Sequence, residues 1–271
     1  MSKQNPEMPE TDYPQLLLEG QLCFPLYAAA RKVINAYTPL LKPLGLTYTQ
    51  YIVMLALWEH GKEKVGDLCL KYNVIWMVDE IHCDFIFPGH KFTSVMNLDE
   101  KYRKNLALYS SPGKTFNVAG LQSANIIIPD PELRAKFKQG NTSAGYSQAN
   151  IMGQVALMSC YTKGAEWVDE LVEYIWGNVC YMKDFVEKNF PKAHFVDPDG
   201  TYLTWVDFSG YGLSDEDLEH LMVEEAKLWL DSGAIFGPET KQFERFNLGC
   251  PRSVVEQAMK QLKAAFDARG L

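Results

Sequence analysis

The two side chains best suited to chemistry are an acid and an amine that each follow a short apolar run. Asp79 closes Val74-Ile75-Trp76-Met77-Val78-Asp79. Lys114 follows Leu106-Ala107-Leu108-Tyr109, within Ser110-Ser111-Pro112-Gly113-Lys114-Thr115. Gly113-Lys114-Thr115 ends the P-loop pattern, but the first glycine of that pattern falls at 108, where the chain has Leu108. The long helix such a loop opens also has no room before the next apolar run. If the two runs are adjacent parallel strands, their carboxyl ends bring Asp79 and Lys114 to one edge, where open α/β sheets gather ligands. A carboxylate and a lysine at one place are what pyridoxal phosphate needs. The amine forms a Schiff base with the aldehyde, and the carboxylate pairs with the pyridinium nitrogen. Partial desolvation lowers a lysine's pKa and frees the nucleophilic amine. Spacing alone equally allows a structural Asp–Lys ion pair or a solvated loop lysine.

These residues need elements to hold them. Residues 74–78, 106–109 and 124–128 are short continuous apolar runs, the first suited to a strand buried on both faces of a parallel sheet. Upstream, residues 16–59 show helical spacing, broken by Pro39, Pro43 and Gly45, with Thr47 as the cap of a second helix. Downstream, 166–189 predicts a long helix whose broad face carries Trp167, Leu171, Tyr174, Cys180, Met182 and Phe185. Strands follow at 193–196 and 201–208, separated by the turn Asp197-Pro198-Asp199-Gly200. Ser214 caps a helix to about Leu230, 243–248 is a strand, and Pro251 opens a last helix with Val255, Met259, Leu262 and Phe266 on one face.

A chain of 271 residues with 47% hydrophobic and 22% charged residues can bury a sizeable core. The net charge of -8 argues against a broad nucleic-acid surface. No apolar run reaches the roughly 18 residues of a membrane span, and the polar N-terminus lacks a signal peptide's apolar stretch. The six cysteines have no paired spacing, as expected of free thiols in a reducing cytoplasm. His82-Cys83-Asp84 offers metal-ligand types, but no second ligand cluster appears, so no metal site is expected.

Met77-Val78-Asp79-Glu80-Ile81-His82-Cys83-Asp84 and the run Ser110 through Gly120 resemble two motifs of fold-type I pyridoxal-phosphate enzymes, in the cystathionine β-lyase (C–S lyase) branch of the class I/II aminotransferases. The resemblance continues through Asn150-Ile151-Met152-Gly153-Gln154, Trp167 to Asn178, Gly200-Thr201-Tyr202-Leu203-Thr204-Trp205 and Arg245-Phe246-Asn247-Leu248-Gly249-Cys250-Pro251-Arg252, covering about 67–271. It implies Lys114 as the Schiff-base lysine and catalytic base, and Asp79 as the pyridinium partner. It further implies His82 near the cofactor's 3-hydroxyl, Ser111 as a phosphate contact and Arg252 as the clamp on a substrate α-carboxylate. His82 read alone is equally a core histidine, and Ser111 a turn residue. The implied reaction releases a thiolate, pyruvate and ammonia from a small amino-acid thioether, in a cytoplasmic homodimer. A class I/II aminotransferase is the alternative, weakened by Gln122 where many transaminases place a phosphate-binding arginine.

Ahead of this, Leu16 through Tyr27 with Tyr37-Thr38-Pro39-Leu40-Leu41 and Leu46 through Tyr51 resembles the start of an organic-hydroperoxide-sensing repressor of the MarR family, over about 8–66. That resemblance implies Cys23 as a redox-sensing thiol, with Tyr37 and Tyr48 donating to its sulfur. On its residues alone Cys23 reads as a buried helix cysteine. The resemblance stops before a recognition helix, and no basic helix follows, so DNA binding is not expected. The lyase-like part in turn lacks the portion relatives carry before the Asp79 strand, with its glycine-rich phosphate cradle.

The chain thus reads as a chimera joined near 61–69, with a redox-sensing fragment or a non-functional fusion as rivals to the enzyme. The expected fold class is α/β: a helical N-terminal segment, then a truncated fold-type I transferase with a partial, mostly parallel sheet and a C-terminal α+β small domain. Its parts are a disordered tail (1–13), a MarR-like helical segment (14–66), a partial cofactor-binding domain (67–165) and a linking helix with the small domain (166–271).

Overall fold

The computed structural model describes residues 23–146 and 148–271, and the expected disordered tail lies outside them. The chain divides into two compact units between Leu68 and Cys69. The first is helical. Helix α1 (Cys23–Leu41) runs through Pro39, contrary to the break expected there, and ends two residues later. A proline so close to a helix end interrupts little of the hydrogen-bond ladder beyond it. Gly45, at φ 67°, supplies the left-handed turn that redirects the chain. Helix α2 (Tyr48–His60) starts at Thr47, whose hydroxyl accepts from Gln50 N (3.3 Å) while Gln50 Oε1 accepts from Thr47 N (2.7 Å). Helix α3 (Val65–Lys71) spans the junction. Among the described residues ahead of Cys69, Leu41 and Ala56 are the buried hydrophobic side chains, while Leu40 and Trp58 stay exposed.

The second unit contains two sheets. In the first, β1 (Trp76–Asp79) pairs parallel with β2 (Leu106–Ser110), as expected, and β3 (Asn125–Ile127) pairs antiparallel on the other side of β2. The short helix α4 (Pro112–Thr115) lies between β2 and β3, and α5 (Pro131–Ser143), α6 (Ile151–Lys163) and the long α7 (Ala165–Asn189) follow. Only the central strand is well buried, through Leu106, Ala107 and Leu108. The expectation that the 74–78 run is buried on both faces is not met: Val74, Ile75 and Met77 are exposed, Met77 to 66%. In a three-stranded sheet β1 is an edge, and two-faced burial requires covering layers on both sides.

The second sheet has the order β4-β5-β7-β6, built from β4 (His194–Val196), β5 (Leu203–Asp207), β6 (Asp231–Ser232) and β7 (Phe243–Asn247), all antiparallel. Between β5 and β6, helix α8 (Asp215–His220) begins at Ser214 as expected. It then passes into a π-helical turn, Leu221–Glu225, and stops short of the expected Leu230, leaving room for β6, which no apolar run announces. Helix α9 (Arg252–Arg269) buries Val255, Met259, Leu262 and Phe266, the face read from its spacing.

Helix α7 packs differently from its expected face. Ile175, Val179, Met182 and Val186 form the buried stripe, whereas Trp167 and Tyr174 are exposed. The helix is apolar on more than one side, and the sheet and α9 decide which side is covered. Phe85 and Phe87, just beyond β1, enter this same core. They are held there by backbone bonds from Thr201 N to Phe85 O (2.7 Å) and from Phe87 N to Asp199 O (3.1 Å). Gly200 permits the approach, since a Cβ there would stand 2.1 Å from Phe85 O.

Glu244 on β7 is 1% exposed. Burial, with Glu219 and Asp231 adding negative charge, pushes its carboxyl up from 4.5 to about 8. The folded chain therefore keeps a proton that the unfolded chain loses above pH 4.5. Stability is fullest below that value and falls by about 1.4 kcal/mol per pH unit until the folded carboxyl ionises. Glu244→Gln removes this penalty. In urea unfolding the variant should match the parent near pH 4.5 and exceed it at pH 8.

Candidate active site

Asp79 is the last residue of β1 and stands in register with Tyr109 of β2. The chain leaves the sheet directly after it. Asp79 Oδ1 accepts from Ile81 N (3.0 Å), Glu80 N donates to Tyr109 O (2.9 Å), and Glu80 Oε1 accepts from Val95 N (2.7 Å). Lys114 sits on α4, beyond the end of β2. That turn is capped by Ser111, whose hydroxyl accepts from Gly113 N (2.9 Å) and donates to Ser123 O (2.6 Å). The next residue, Thr115, is buried and donates to Asp84 Oδ2 (2.7 Å), joining the loop after β1 to the loop after β2. Lys114 itself is exposed, and among the described residues its amine has no hydrogen-bond or ion-pair partner. It opens on a cavity of about 290 Å³ walled by Phe85, Asn117, Trp167, Tyr202, Asn247 and Gly249.

His82 packs its ring 5.4 Å from that of Tyr202 and 6.2 Å from that of Phe85, and its Nδ1 is buried without a partner. Burial pushes the imidazole below its ordinary pKa. The positive charges of Lys114 and Arg245 push the same way, and Asp79 opposes them. The charges of Asp79 and Lys114 both reach His82, and Ser111 supports the turn that carries Lys114.

Of the expected site residues Lys114 alone walls this cavity; Asp79, His82, Ser111 and Arg252 do not, nor does Arg245, and His82 borders a neighbouring cavity with Phe85 and Thr201. Arg252 Nε donates to Asn178 Oδ1 (2.8 Å), its backbone N donates to Tyr174 Oη (2.7 Å), and its guanidinium lies 4.8 Å from the centre of the Tyr181 ring. Arg245 on β7, whose charge reaches both His82 and Tyr202, is bound to Asp231 through Nε (3.2 Å) and Nη2 (2.5 Å). Strand alternation carries the signal that finds it: in Phe243-Glu244-Arg245-Phe246-Asn247, Arg245 shares a face with Asn247, which walls the cavity. In the helical unit the Tyr37 and Tyr48 ring centres are 5.4 Å apart, and the Cys23 side chain lies outside the described residues. Among the described residues no group of three metal-ligating side chains converges, and no helix is long and apolar enough to cross a membrane.

Residues 61–262 match the model of the family aminotransferase class I and II. The chain belongs to that family. Within it, the chain is 39% identical over 202 residues to cystathionine beta-lyase PatB of Bacillus subtilis (strain 168), a match covering 74% of this chain and 52% of that protein. The structure of cystalysin from Treponema denticola, which contains a pyridoxal 5'-phosphate cofactor, superposes with a TM-score of 0.72 at 33% identity, covering 75% of this chain and 52% of that one. The chain thus spans about half the length of the family members it matches. A separate stretch of 51 residues, 19% of this chain, is 49% identical to the organic hydroperoxide resistance transcriptional regulator of Bacillus subtilis (strain 168), covering 35% of it. This short match supports the reading of the chain as a chimera.

The electrostatics of the cluster can be read directly. Lys114→Ala should raise the midpoint of His82, and Asp79→Asn should lower it further, in an NMR titration of the imidazole protons. Midpoints that do not move in either variant would show that the three groups do not share a site.

Proposed function

We propose that the Lys114 cavity is the pyridoxal-phosphate site of a carbon–sulfur β-lyase, acting on a small amino-acid thioether. One observation supports this reading: β1 and β2 run parallel, so the carboxylate of Asp79 and the turn carrying the exposed Lys114 follow strands that end on the same edge, and the charges of both reach His82. The residues fit the ring end of the cofactor. Asp79 would meet the pyridinium nitrogen, His82 the neighbourhood of the 3-hydroxyl, and Lys114 the aldehyde carbon. Ser111 would lie at the phosphate end, where its one hydroxyl proton, donated to Ser123 O in this structure, would have to turn to the phosphate. Bound there, the cofactor supplies an electron sink for a carbanion at the substrate Cα.

The chain's own groups do the remaining work. Lys114 takes the Cα proton and can return it to solvent or to the departing thiolate. Aromatic walls at Trp167 and Tyr202 narrow access of water to the reacting centre. For the substrate carboxylate we propose Arg245 in place of Arg252, because Arg245 is the arginine whose charge reaches His82 and Tyr202. A homodimer belongs to the same proposal.

The test is covalent. Incubation with pyridoxal phosphate followed by borohydride should leave a pyridoxyl adduct, mapped by peptide mass spectrometry to Lys114 and absent in Lys114→Ala. Asp79→Asn should reduce the yield by more than about tenfold, the effect of one lost charge-assisted contact. An adduct spread over surface lysines would sink the assignment.

The 49% match to a hydroperoxide regulator favours a second reading for the helical unit, in which Cys23 is a peroxide-oxidisable thiol flanked by Tyr37 and Tyr48. An organic hydroperoxide should then oxidise Cys23 ahead of the other cysteines, and Tyr37→Phe with Tyr48→Phe should slow it. Equal oxidation of all six thiols would count against a sensor.

A further inference from the structure

Asn178, at the middle of α7, is 0% exposed. Its Nδ2 donates to Leu248 O (3.0 Å) and to Cys250 O (2.9 Å). Those two carbonyls decide which end of the amide is nitrogen, so the remaining Oδ1 must find a donor. Arg252 Nε supplies it at 2.8 Å. Arg252 is itself held by Tyr174 Oη and by the face of Tyr181. Gly177 leaves room for it, since a Cβ there would come within 3.2 Å of Nη2. On the other side of the same turn, Leu248 N donates to Tyr202 O (2.7 Å). The segment between β7 and α9 is therefore pinned on both sides by bonds that neither element needs for its own regular structure. It carries Gly249 and follows Asn247, both in the wall of the Lys114 cavity, and Gly249 lies so close to Tyr202 that a Cβ would stand 3.4 Å from its ring.

We propose that Asn178 and Arg252 are positioning residues for this cavity: together they hold the 248–251 turn so that Asn247 and Gly249 form its wall opposite Lys114. The proposal rests on the reading of that cavity as the cofactor site. Arg252 acts through Asn178 and the turn, without touching the bound molecule.

The experiment uses the full chain, with Arg252→Ala, the milder Tyr174→Phe, the conservative Arg252→Lys, and Lys263→Ala as a control on the exposed side of α9. Hydrogen exchange is read at 248–250 without cofactor. The apparent affinity for pyridoxal phosphate is read separately, from the borohydride-fixed adduct on Lys114. Exchange should quicken by about tenfold or more in Arg252→Ala and less in Tyr174→Phe, as expected for local opening. Arg252→Lys should recover part of the loss, and Lys263→Ala should match the parent. Affinity should fall several-fold in step with the exchange. Unchanged exchange in both Arg252→Ala and Tyr174→Phe overturns the proposal, and so does a loosened turn with unaltered affinity. If the parent takes up no pyridoxal phosphate, the cofactor reading fails by that result, and the exchange data alone decide whether the turn is held as proposed.

Discussion

Parallel pairing of β1 with β2 is the contact from which the candidate site follows. Parallel strands end on the same side of a sheet, so two residues far apart in the chain are delivered to one edge without any direct attraction between them. Asp79 arrives as the last paired residue of its strand, and Lys114 arrives on the turn just beyond the other. The bond from Thr115 to Asp84 then ties the two exits together, and the backbone bonds from Thr201 N to Phe85 O and from Phe87 N to Asp199 O tie the first of them to the segment that leads into β5. A slip of one residue in the β1–β2 register would turn Asp79 to the other face of the sheet.

The same sheet is the least protected part of the second unit. Both outer strands are edges, and the exposed side chains of Val74, Ile75, Met77, Ile126 and Ile127 lie on or next to them. Such burial as the first sheet has is centred on Leu106 and Leu108, with Val95 packed against them, whereas the second sheet, α7 and α9 share a continuous aromatic and aliphatic core. The Lys114 cavity thus lies between a well-supported half, which supplies Tyr202 and Asn247, and a thinner half, which supplies Lys114. Preorganisation of an acid and an amine for chemistry depends on the packing behind them, and here that packing is unequal.

Arg252 illustrates how a side chain of suitable chemistry can serve geometry instead. A guanidinium is as well suited to satisfying a buried amide and stacking on a phenol as to gripping a carboxylate. Its position at the start of α9 places it over α7, where Asn178 needs one donor and Arg252 Nε supplies it. Arg245, on a strand that alternates between the core and the cavity, is left as the cation near the aromatic wall.

By itself the sequence determined the strand that ends at Asp79 and the strand that precedes Lys114, the Thr47 and Ser214 caps, the buried face of α9, and the membership of the aminotransferase class I and II family. Each of these rests on a local signal: a short apolar run, a capping residue, a helical period or a contiguous motif. The tertiary structure alone decided which side of α7 is buried, that β1 is an exposed edge, that β6 exists, and which arginine the Asn178 amide holds. Those outcomes depend on neighbours distant in the chain. A helix apolar on two sides has no preference until a sheet covers one, a two-residue strand exists only through its partner, and an arginine points wherever an unpaired acceptor or an open face awaits it.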